Sequence, residues 1–192
     1  DPYHINGPAV ISFSGGRTSG YMLWHILDRY DGKLPDDVHV IFANTGKEMP
    51  ETLDFIQECS ERWNVKVTWL EYDANAEYET KTVNHNSASR NGEPFKSLIV
   101  KRSYLPNPLM RFCTSELKIR RIKHQMHKVH GYKRWGNVIG LRYDEPRRYL
   151  KKTPEADKKD RWDTILPLVY ADVTARDVAA WWEKQPFDLR LE

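Results

Sequence analysis

The chain has 192 residues, of which 40% are hydrophobic and 30% are charged, and its formal net charge is +3. This length and composition fit one soluble globular domain over residues 1–192 and exclude a disordered or fibrous chain. No apolar run approaches the ~20 residues of a membrane-spanning helix, and the polar start of the chain does not have a signal-peptide pattern. The mild net charge does not by itself imply a nucleic-acid partner.

An apolar run at residues 9–13 is typical of a buried parallel strand, and a turn rich in serine and glycine follows it at residues 14–19. Gly15 and Gly16 allow positive φ and bring backbone N–H groups close to a ligand. We expect Ser19 to cap the next helix, whose N-terminus offers free N–H donors. Together these features predict a cradle for phosphate, pyrophosphate or sulfate.

The turn has neither the Walker spacing nor the Gly-x-Gly-x-x-Gly spacing. An ordinary strand-to-helix turn explains a bare Ser-Gly-Gly equally well. The position of the turn directly after the first strand favours the binding interpretation.

The next elements alternate between strand and helix. A helix follows Ser19, and a strand at Val38–Ala43 ends in the turn Asn44–Glu48. A second helix begins near Pro50 and leads to a third strand at Val65–Glu71. This order predicts a parallel sheet with right-handed crossovers, in which the turns after the first two strands lie on one rim.

The second half of the chain is less regular. Ala74–Met110 lacks clear periodicity and is predicted to be an irregular functional segment. Ser115–Val129 is predicted to be a basic helix, and Asn137–Leu141 a fourth strand that delivers Arg142–Arg148 to the same rim. A final helix at Thr174–Lys184 is capped by Thr174. The predicted fold class is α/β, a doubly wound and mainly parallel Rossmann-like sheet with flanking helices.

Four stretches carry a resemblance to a known family: Ser12–Ser19, Phe42–Glu48, Arg111–Lys118 and Gly140–Glu145. In this order they resemble the phosphoadenosine phosphosulfate (PAPS) reductase family, most closely its phage and prophage branch. That family lies within the PP-loop superfamily of adenine-nucleotide α-hydrolase-like proteins. The resemblance implies that the chain binds an adenine nucleotide, PAPS or an ATP-like molecule.

The resemblance also implies which residues bind this nucleotide. The Ser-Gly-Gly loop holds its phosphate or sulfate end, the segment from Phe42 to Gly46 lies beside the adenosine, and arginines with Lys118 contact the phosphates. The implied binding residues are Ser12, Ser14, Gly15, Gly16, Arg17, Thr18, Ser19, Asn44, Thr45, Gly46, Arg111, Lys118, Gly140 and Arg142. For Arg17, an additional anion contact and a solvent-facing side chain remain equal alternatives. Arginine and lysine suit a dianionic ligand.

Reductases of this family carry a nucleophilic cysteine near the C-terminus, in a Glu-Cys-Gly context. It attacks the sulfur and forms a thiosulfonate, and a thioredoxin-type protein is the reductant. This chain has no cysteine after Cys113. A truncated C-terminus, with a cysteine segment beyond Glu192, is therefore one interpretation, and thiol-dependent reduction would depend on that segment.

Three interpretations of Cys113 stay open: a small buried residue, an iron–sulfur ligand, or a reactive thiol at a helix N-terminus. An iron–sulfur cluster needs four thiolates, so it would require cysteines outside this chain. Cys59 is predicted to be a core residue. The two cysteines lie far apart in the sequence and indicate a reducing cytoplasm rather than a disulfide scaffold.

Three functions compete. The leading one is a sulfonucleotide-binding enzyme of the PAPS reductase type. The second is a PP-loop ATP pyrophosphatase or sulfur-transfer enzyme that acts on nucleic acid, although those relatives usually have Asp at the position of Thr18. The third is a non-catalytic module that binds a nucleotide, or binds nucleic acid through the basic helix at residues 118–134.

Overall fold

The structure, a computed structural model, describes residues 1–105, 112–152 and 158–191, and of Cys113 it describes the backbone alone. The strands are β1 (Ala9–Ser12), β2 (Val38–Asn44), β3 (Val67–Tyr72), β4 (Thr80–Val83), β5 (Trp135–Val138) and β6 (Trp162–Ile165). Within the described residues they form one sheet in the order β4-β3-β2-β1-β5-β6. Only β3 and β4 pair antiparallel; the other neighbours are parallel. The predicted mainly parallel sheet is confirmed.

The helices flank this sheet. They are α1 (Arg17–Arg29), α2 (Pro50–Arg62), α3 (Glu93–Arg102), α4 (residues 112–129), α5 (Pro146–Tyr149), α6 (Pro167–Tyr170) and α7 (Ala175–Trp182). Helix α4 is continuous and includes two π-helical turns, Ser115–Ile119 and Gln125–Val129. Helix α7 begins with the predicted cap, since Thr174 and Asp177 form a reciprocal capping box.

None of the helices in the described ranges is both long enough and apolar enough to cross a membrane.

Successive residues of the central strands point to opposite faces of the sheet and build two separate cores. Ala9 and Ile11 pack in the larger core, which also contains the apolar residues of α1, α2 and α7. Val10 and Ile41 point the other way and pack with Met126 of α4. Because both faces are covered by helices, the central strands are apolar on both sides and the predicted doubly wound architecture is confirmed.

The fourth predicted strand is present, but its bounds differ from those predicted. It spans Trp135–Val138 rather than Asn137–Leu141. After Val138 the chain turns, and the N–H of Leu141 donates to the carbonyl of Ile139 at 3.0 Å instead of to a neighbouring strand. Strand β6 was not predicted, because its four residues include an exposed aspartate, Asp163, and follow a highly charged connection.

The prediction of an irregular segment at Ala74–Met110 is wrong over much of its length. Strand β4 lies within it and pairs with β3 through a short connection, although its sequence Thr-Lys-Thr-Val has little apolar content. Helix α3 also lies within it and begins with Pro94 in its first turn. Residues 84–92 form the longest irregular stretch described within it, and its end, Gly92, lies against Gly46 after β2. Residues 106–110 of the predicted segment lie outside the described residues.

Candidate anion-binding site

The loop at residues 14–19 joins β1 to α1 in a conformation that requires glycine at position 15. Gly15 has a φ of +78°, and a Cβ atom there would lie 2.7 Å from both Ile56 Cδ1 and Thr52 Cγ2 of α2. Gly16 is the N-cap residue of α1, and no side-chain hydrogen bond caps this helix. The N–H groups of the first helical turn therefore lack intrahelical acceptors and carry the partial positive charge of the helix N-terminus.

Ser19 does not cap α1, so that prediction is wrong. The helix begins two residues earlier than expected, at Arg17, and Ser19 lies within its first turn. The Ser19 hydroxyl donates to the Gly16 carbonyl at 2.9 Å and accepts from the Ser14 hydroxyl at 3.0 Å. These two hydrogen bonds thus stabilise the conformation of the loop.

Helix α7 holds the start of α1 in place. The indole N–H of Trp182 donates to the carbonyl of Arg17 at 2.8 Å. Gly20 lets the two helices approach closely, since a Cβ atom there would lie 2.8 Å from the Trp182 ring. Because the Trp182 side chain is buried, this contact positions the first turn of α1 rigidly.

Arg142, which follows β5, reaches the same loop. Its Nη1 atom donates to Thr18 Oγ1 at 3.2 Å, and its Nε atom donates to Asp144 Oδ1 at 2.8 Å. The backbone N–H of Ala175 and the Arg142 guanidinium hold the pKa of Asp144 below its usual value. The ionised Asp144 therefore orients Arg142, and Glu145 Oε2 lies 3.5 Å from the Nη1 atom that reaches Thr18.

Two further predicted residues lie behind or beside the loop. The Ser12 hydroxyl donates to Asn137 Oδ1 at 3.2 Å and so ties β1 to β5 beneath the rim. Gly140 lies against α1, since a Cβ atom there would be 3.5 Å from Ser19 Cα. Ser12 and Gly140 thus support the loop through contacts with β5 and α1.

The loop after β2 forms the next part of the rim. Asn44 is fully buried, and its amide donates to Glu71 Oε1 at 2.6 Å and to the Ser89 carbonyl at 2.8 Å. The Asn44 side-chain oxygen accepts from the N–H of Gly46 at 3.0 Å. Asn44 thus shapes its own loop, in which Gly46 is also buried.

Lys118 on α4 is tied to this loop. Its ammonium group lies 3.1 Å from Glu48 Oε1, and the Thr45 hydroxyl donates to the same oxygen at 3.1 Å. The structure therefore brings Lys118 and Thr45 together through Glu48. The residue Glu48 lies inside one of the motifs quoted above, but nothing in the sequence indicated this linking role.

The Arg17 side chain is 49% exposed, as the solvent-facing alternative expects, and its role as an anion contact stays a prediction. Its guanidinium forms a two-point ion pair with Asp188 in the C-terminal segment, and its Nε–Oδ1 distance is 2.7 Å. Nothing in the sequence indicated Asp188 as a partner. Arg111 lies outside the described residues, so its predicted role remains a prediction.

The two cysteines do not fit a cluster that requires four cysteine ligands. Cys59 lies in the core on α2, as predicted, and burial raises the pKa of its thiol far above the usual value. The backbone of Cys113 belongs to the first turn of α4, and its side chain lies outside the described part of the structure. Among the described residues, no group of three or more His, Cys, Asp or Glu side chains is arranged to hold a metal ion.

The basic helix uses many of its cations within the protein. Arg121 is fully buried and donates to the Glu116 carbonyl at 2.9 Å and to the Tyr78 carbonyl at 3.1 Å. Arg120 pairs with Glu116 at 2.9 Å, and Lys128 lies over the Tyr78 ring at 5.6 Å. The helix therefore presents less free positive charge than its sequence indicates.

The protein comparisons agree with this geometry. The model of the phosphoadenosine phosphosulfate reductase domain family matches residues 8–188. The nin region protein ORF290 of Escherichia phage lambda is 34% identical over 191 residues, which cover 95% of this chain and 61% of the phage protein. Protein MJ0973 of Methanocaldococcus jannaschii is 26% identical over 172 residues, or 88% of this chain and 34% of that protein. The chain thus spans less than two thirds of the length of either relative.

Two solved structures share the fold. PAPS reductase from Candida auris, in a phosphate complex, superposes with a TM-score of 0.54 at 16% identity, covering 93% of this chain and 73% of that one. The U34-tRNA thiolase NcsA from Methanococcus maripaludis, with its [4Fe-4S] cluster, gives a TM-score of 0.53 at 17% identity, covering 91% and 56%. The family match over most of the chain, the order of the motifs and the shared fold agree, and the chain belongs to the PAPS reductase domain family.

Proposed function

We propose that this chain binds an adenine nucleotide, with PAPS or a close analogue as the ligand. The sulfate or phosphate end lies on loop 14–19, and Arg142 contacts it from the end of β5. One observation carries this proposal: the uncapped first turn of α1 and the Arg142 guanidinium meet at Thr18. Backbone N–H donors and an arginine fork together suit a multiply charged tetrahedral group.

The position of this group in the sheet supports the proposal. Strand β1 lies between β2 and β5. The chain continues from β1 to β2 and β3 on one side of β1, and later adds β5 and β6 on the other side. Ligands of doubly wound proteins bind in the crevice that this reversal creates at the carboxyl ends of the strands. Loop 14–19 and Arg142 border that crevice.

Calorimetric titration with PAPS, adenosine 3′,5′-bisphosphate and ATP tests the proposal. We expect saturable binding of at least the first two, with affinity lost when inorganic pyrophosphate or sulfate occupies the loop. A folded protein that binds none of the three nucleotides would contradict the proposal.

The redox step of the family needs a thiol that attacks the sulfur of PAPS and displaces adenosine 3′,5′-bisphosphate. The cysteine then carries the sulfite group as a thiosulfonate, and a dithiol reductant releases sulfite while it becomes a disulfide. In this chain Cys59 is buried and its thiol pKa is raised, so it is unsuited to this attack. We infer that Cys113 is not this nucleophile either, and that reduction needs a cysteine outside residues 1–192.

Sulfite assays with PAPS and thioredoxin separate the sources of this thiol. We expect the 192-residue chain to bind PAPS without releasing sulfite. Robust release that disappears in Cys113→Ser would make Cys113 the nucleophile and overturn this inference. Release from a longer chain alone would support it.

A second candidate function is sulfur transfer or pyrophosphatase chemistry on a nucleic acid, favoured by the surface next to Arg142. Arg147, Lys151 and Lys152 are exposed there, and none has an ion-pair partner among the residues that the structure describes. Tyr143 is 50% exposed beside them and offers a ring for base stacking. This surface suits a nucleic acid better than α4 does, because the cations of α4 contact the protein.

RNA and DNA binding measured across a range of salt concentrations tests this second candidate. Binding whose affinity falls steeply with salt and is lost in Lys151→Glu/Lys152→Glu would favour it. Tight binding of PAPS with no salt-dependent nucleic-acid binding would contradict it.

A further inference from the structure

Glu71, near the end of β3, is a fully buried carboxylate that the sequence analysis did not single out. A buried carboxylate is costly unless hydrogen-bond donors surround it, and here they do. Its Oε1 atom accepts from the backbone N–H of Ser89 and from the Asn44 amide, both at 2.6 Å. Its Oε2 atom accepts from the Ser89 hydroxyl at 2.8 Å and lies 3.4 Å from Lys81 Nζ.

The donors come from two segments that are distant in the sequence. Asn44 ends β2, and Ser89 belongs to the irregular segment at residues 84–92. Asn44 also donates to the Ser89 carbonyl at 2.8 Å, so Glu71, Asn44 and Ser89 form a closed network. We call these three residues the Glu71 clamp.

The two segments also touch outside the clamp. A Cβ atom on Gly46 would lie 3.1 Å from Gly92 Cα, so the loop after β2 and the end of the irregular segment are in close backbone contact. His85, at the other end of this segment, pairs with Asp54 of α2 at 2.6 Å. The irregular segment is thus fixed at three points: the clamp, the contact of Gly92 with Gly46, and the pair of His85 with Asp54.

The position of the clamp relative to loop 14–19 gives it a role. Strand β2 lies next to β1 on the side away from β5 and Arg142. Residues 44–48 after β2 therefore continue the rim on the side of loop 14–19 that faces away from Arg142. The Asn44 side chain is committed to the clamp, and its oxygen accepts from the N–H of Gly46, so the clamp also fixes the conformation of this loop.

We propose that Glu71 is a positioning residue for the nucleoside part of the ligand: it holds residues 44–48 and 84–92 together as one wall beside loop 14–19. This inference rests on the proposed function. Glu71 itself does not contact the ligand, since its carboxylate is buried and engaged by the clamp.

The variant Glu71→Gln tests this role, because it keeps the side-chain shape but replaces a carboxylate acceptor with an amide. We expect adenosine 3′,5′-bisphosphate to bind about tenfold more weakly, since hydrogen bonds to a charged group are weakened. Inorganic pyrophosphate, which reaches loop 14–19 alone, is expected to bind as it does to the wild-type chain. Ser89→Ala removes one of the donors and is expected to have a smaller effect in the same direction.

Amide hydrogen exchange gives a second readout that needs no ligand. In Glu71→Gln we expect faster exchange at both residues 44–48 and residues 84–92, with loop 14–19 unchanged. The matched control is Glu116→Gln, a change at another buried glutamate, which pairs with arginines of α3 and α4. This control is expected to leave exchange at residues 44–48 unchanged.

The outcomes separate the two proposals. A Glu71→Gln protein with wild-type exchange at both segments, or with equal loss of nucleotide and pyrophosphate affinity, would overturn the positioning role. Wild-type nucleotide affinity in this variant would overturn it as well. If the wild-type chain binds no nucleotide, the proposed function fails, while coupled exchange of the two segments would still support the clamp.

Discussion

The rim of the sheet and helix α4 are both rich in cations, but the two regions use them differently. On the rim, Arg142 is oriented by Asp144 and directs part of its guanidinium toward Thr18 and the uncapped start of α1. On α4, Arg121 is fully buried and donates to backbone carbonyls of the turn before β4. Arg121 therefore stabilises the fold, whereas Arg142 lies at the start of α1, where we propose that an anion binds.

The difference lies in which acceptors surround each cation. The carbonyls of Tyr78 and Glu79 belong to a turn in which both residues have positive φ, 52° and 53°. Arg121 satisfies these carbonyls, and its side chain lies over the Tyr72 ring at 5.1 Å. Burial lowers the pKa of Arg121 to about 10, so it remains charged at neutral pH. Arg121 thus donates only within the fold, whereas Arg142 pairs with Asp144 and Glu145 and also reaches Thr18 on the rim.

Among the variants that test this comparison, Arg121→Met is expected to have the largest effect. We expect the free energy of unfolding to fall by about 3 kcal/mol, because several buried carbonyls lose a charged donor. Urea unfolding measures this change, and Lys128→Met on the same helix is the control, expected to cost about 0.5 kcal/mol. If Arg121→Met were as stable as the wild-type chain, the structural role of this cation would be refuted.

Arg142→Gln is expected to have the opposite profile. Nucleotide affinity should fall about tenfold to hundredfold, since a charged hydrogen-bonding fork to the anion is lost. The free energy of unfolding should change by less than about 1 kcal/mol, as for other partly exposed ion pairs. Calorimetry and urea unfolding measure the two quantities.

The matched control for Arg142→Gln is Arg134→Gln. Arg134 pairs with Asp163 near the start of β5, away from the rim. We expect this variant to bind nucleotide like the wild-type chain. Equal losses of affinity in the two arginine variants would show that general charge, rather than the position of Arg142, governs binding.

As the pH falls, we expect the contact between the end of α4 and the start of β2 to be destabilised before the Asp144–Arg142 contact on the rim. The rings of His39 and His130 stack at 3.9 Å between the start of β2 and the end of α4. Burial, together with the charge of the other histidine, lowers the pKa of His39, although Asp37 opposes this shift. Burial and Lys66 lower the pKa of His130. The unfolded chain thus takes up these protons first, so stability is lost as pH falls below about 6.5.

The rim behaves differently because the pKa of Asp144 is lowered, which keeps this carboxylate ionised down to more acidic pH. We expect the melting temperature to fall between pH 7.5 and 5.5, and His39→Gln to reduce this fall by about 2–4 °C. Thermal unfolding at several pH values measures it. A pH dependence that is identical in wild-type and His39→Gln proteins would argue against the histidine pair as its source.

The parts of the fold that could be predicted were those with strong local patterns. The apolar runs of β1 and β2, the loop between Ser14 and Ser19 and the Thr174 cap all follow from neighbouring residues. Strand β4 could not be predicted, since it is stabilised by pairing with β3 rather than by its own residues. The same limit applies to the site: the motifs located loop 14–19 and Arg142, but Glu71 depends on donors from distant segments.

The most direct test of the account is an experimental structure of the chain with adenosine 3′,5′-bisphosphate bound. We predict a phosphate within about 3 Å of the N–H groups at the start of α1 and of the Arg142 guanidinium, with the nucleoside against residues 44–48. A nucleotide bound along α4, or a phosphate on the rim that contacts neither loop 14–19 nor Arg142, would contradict the account.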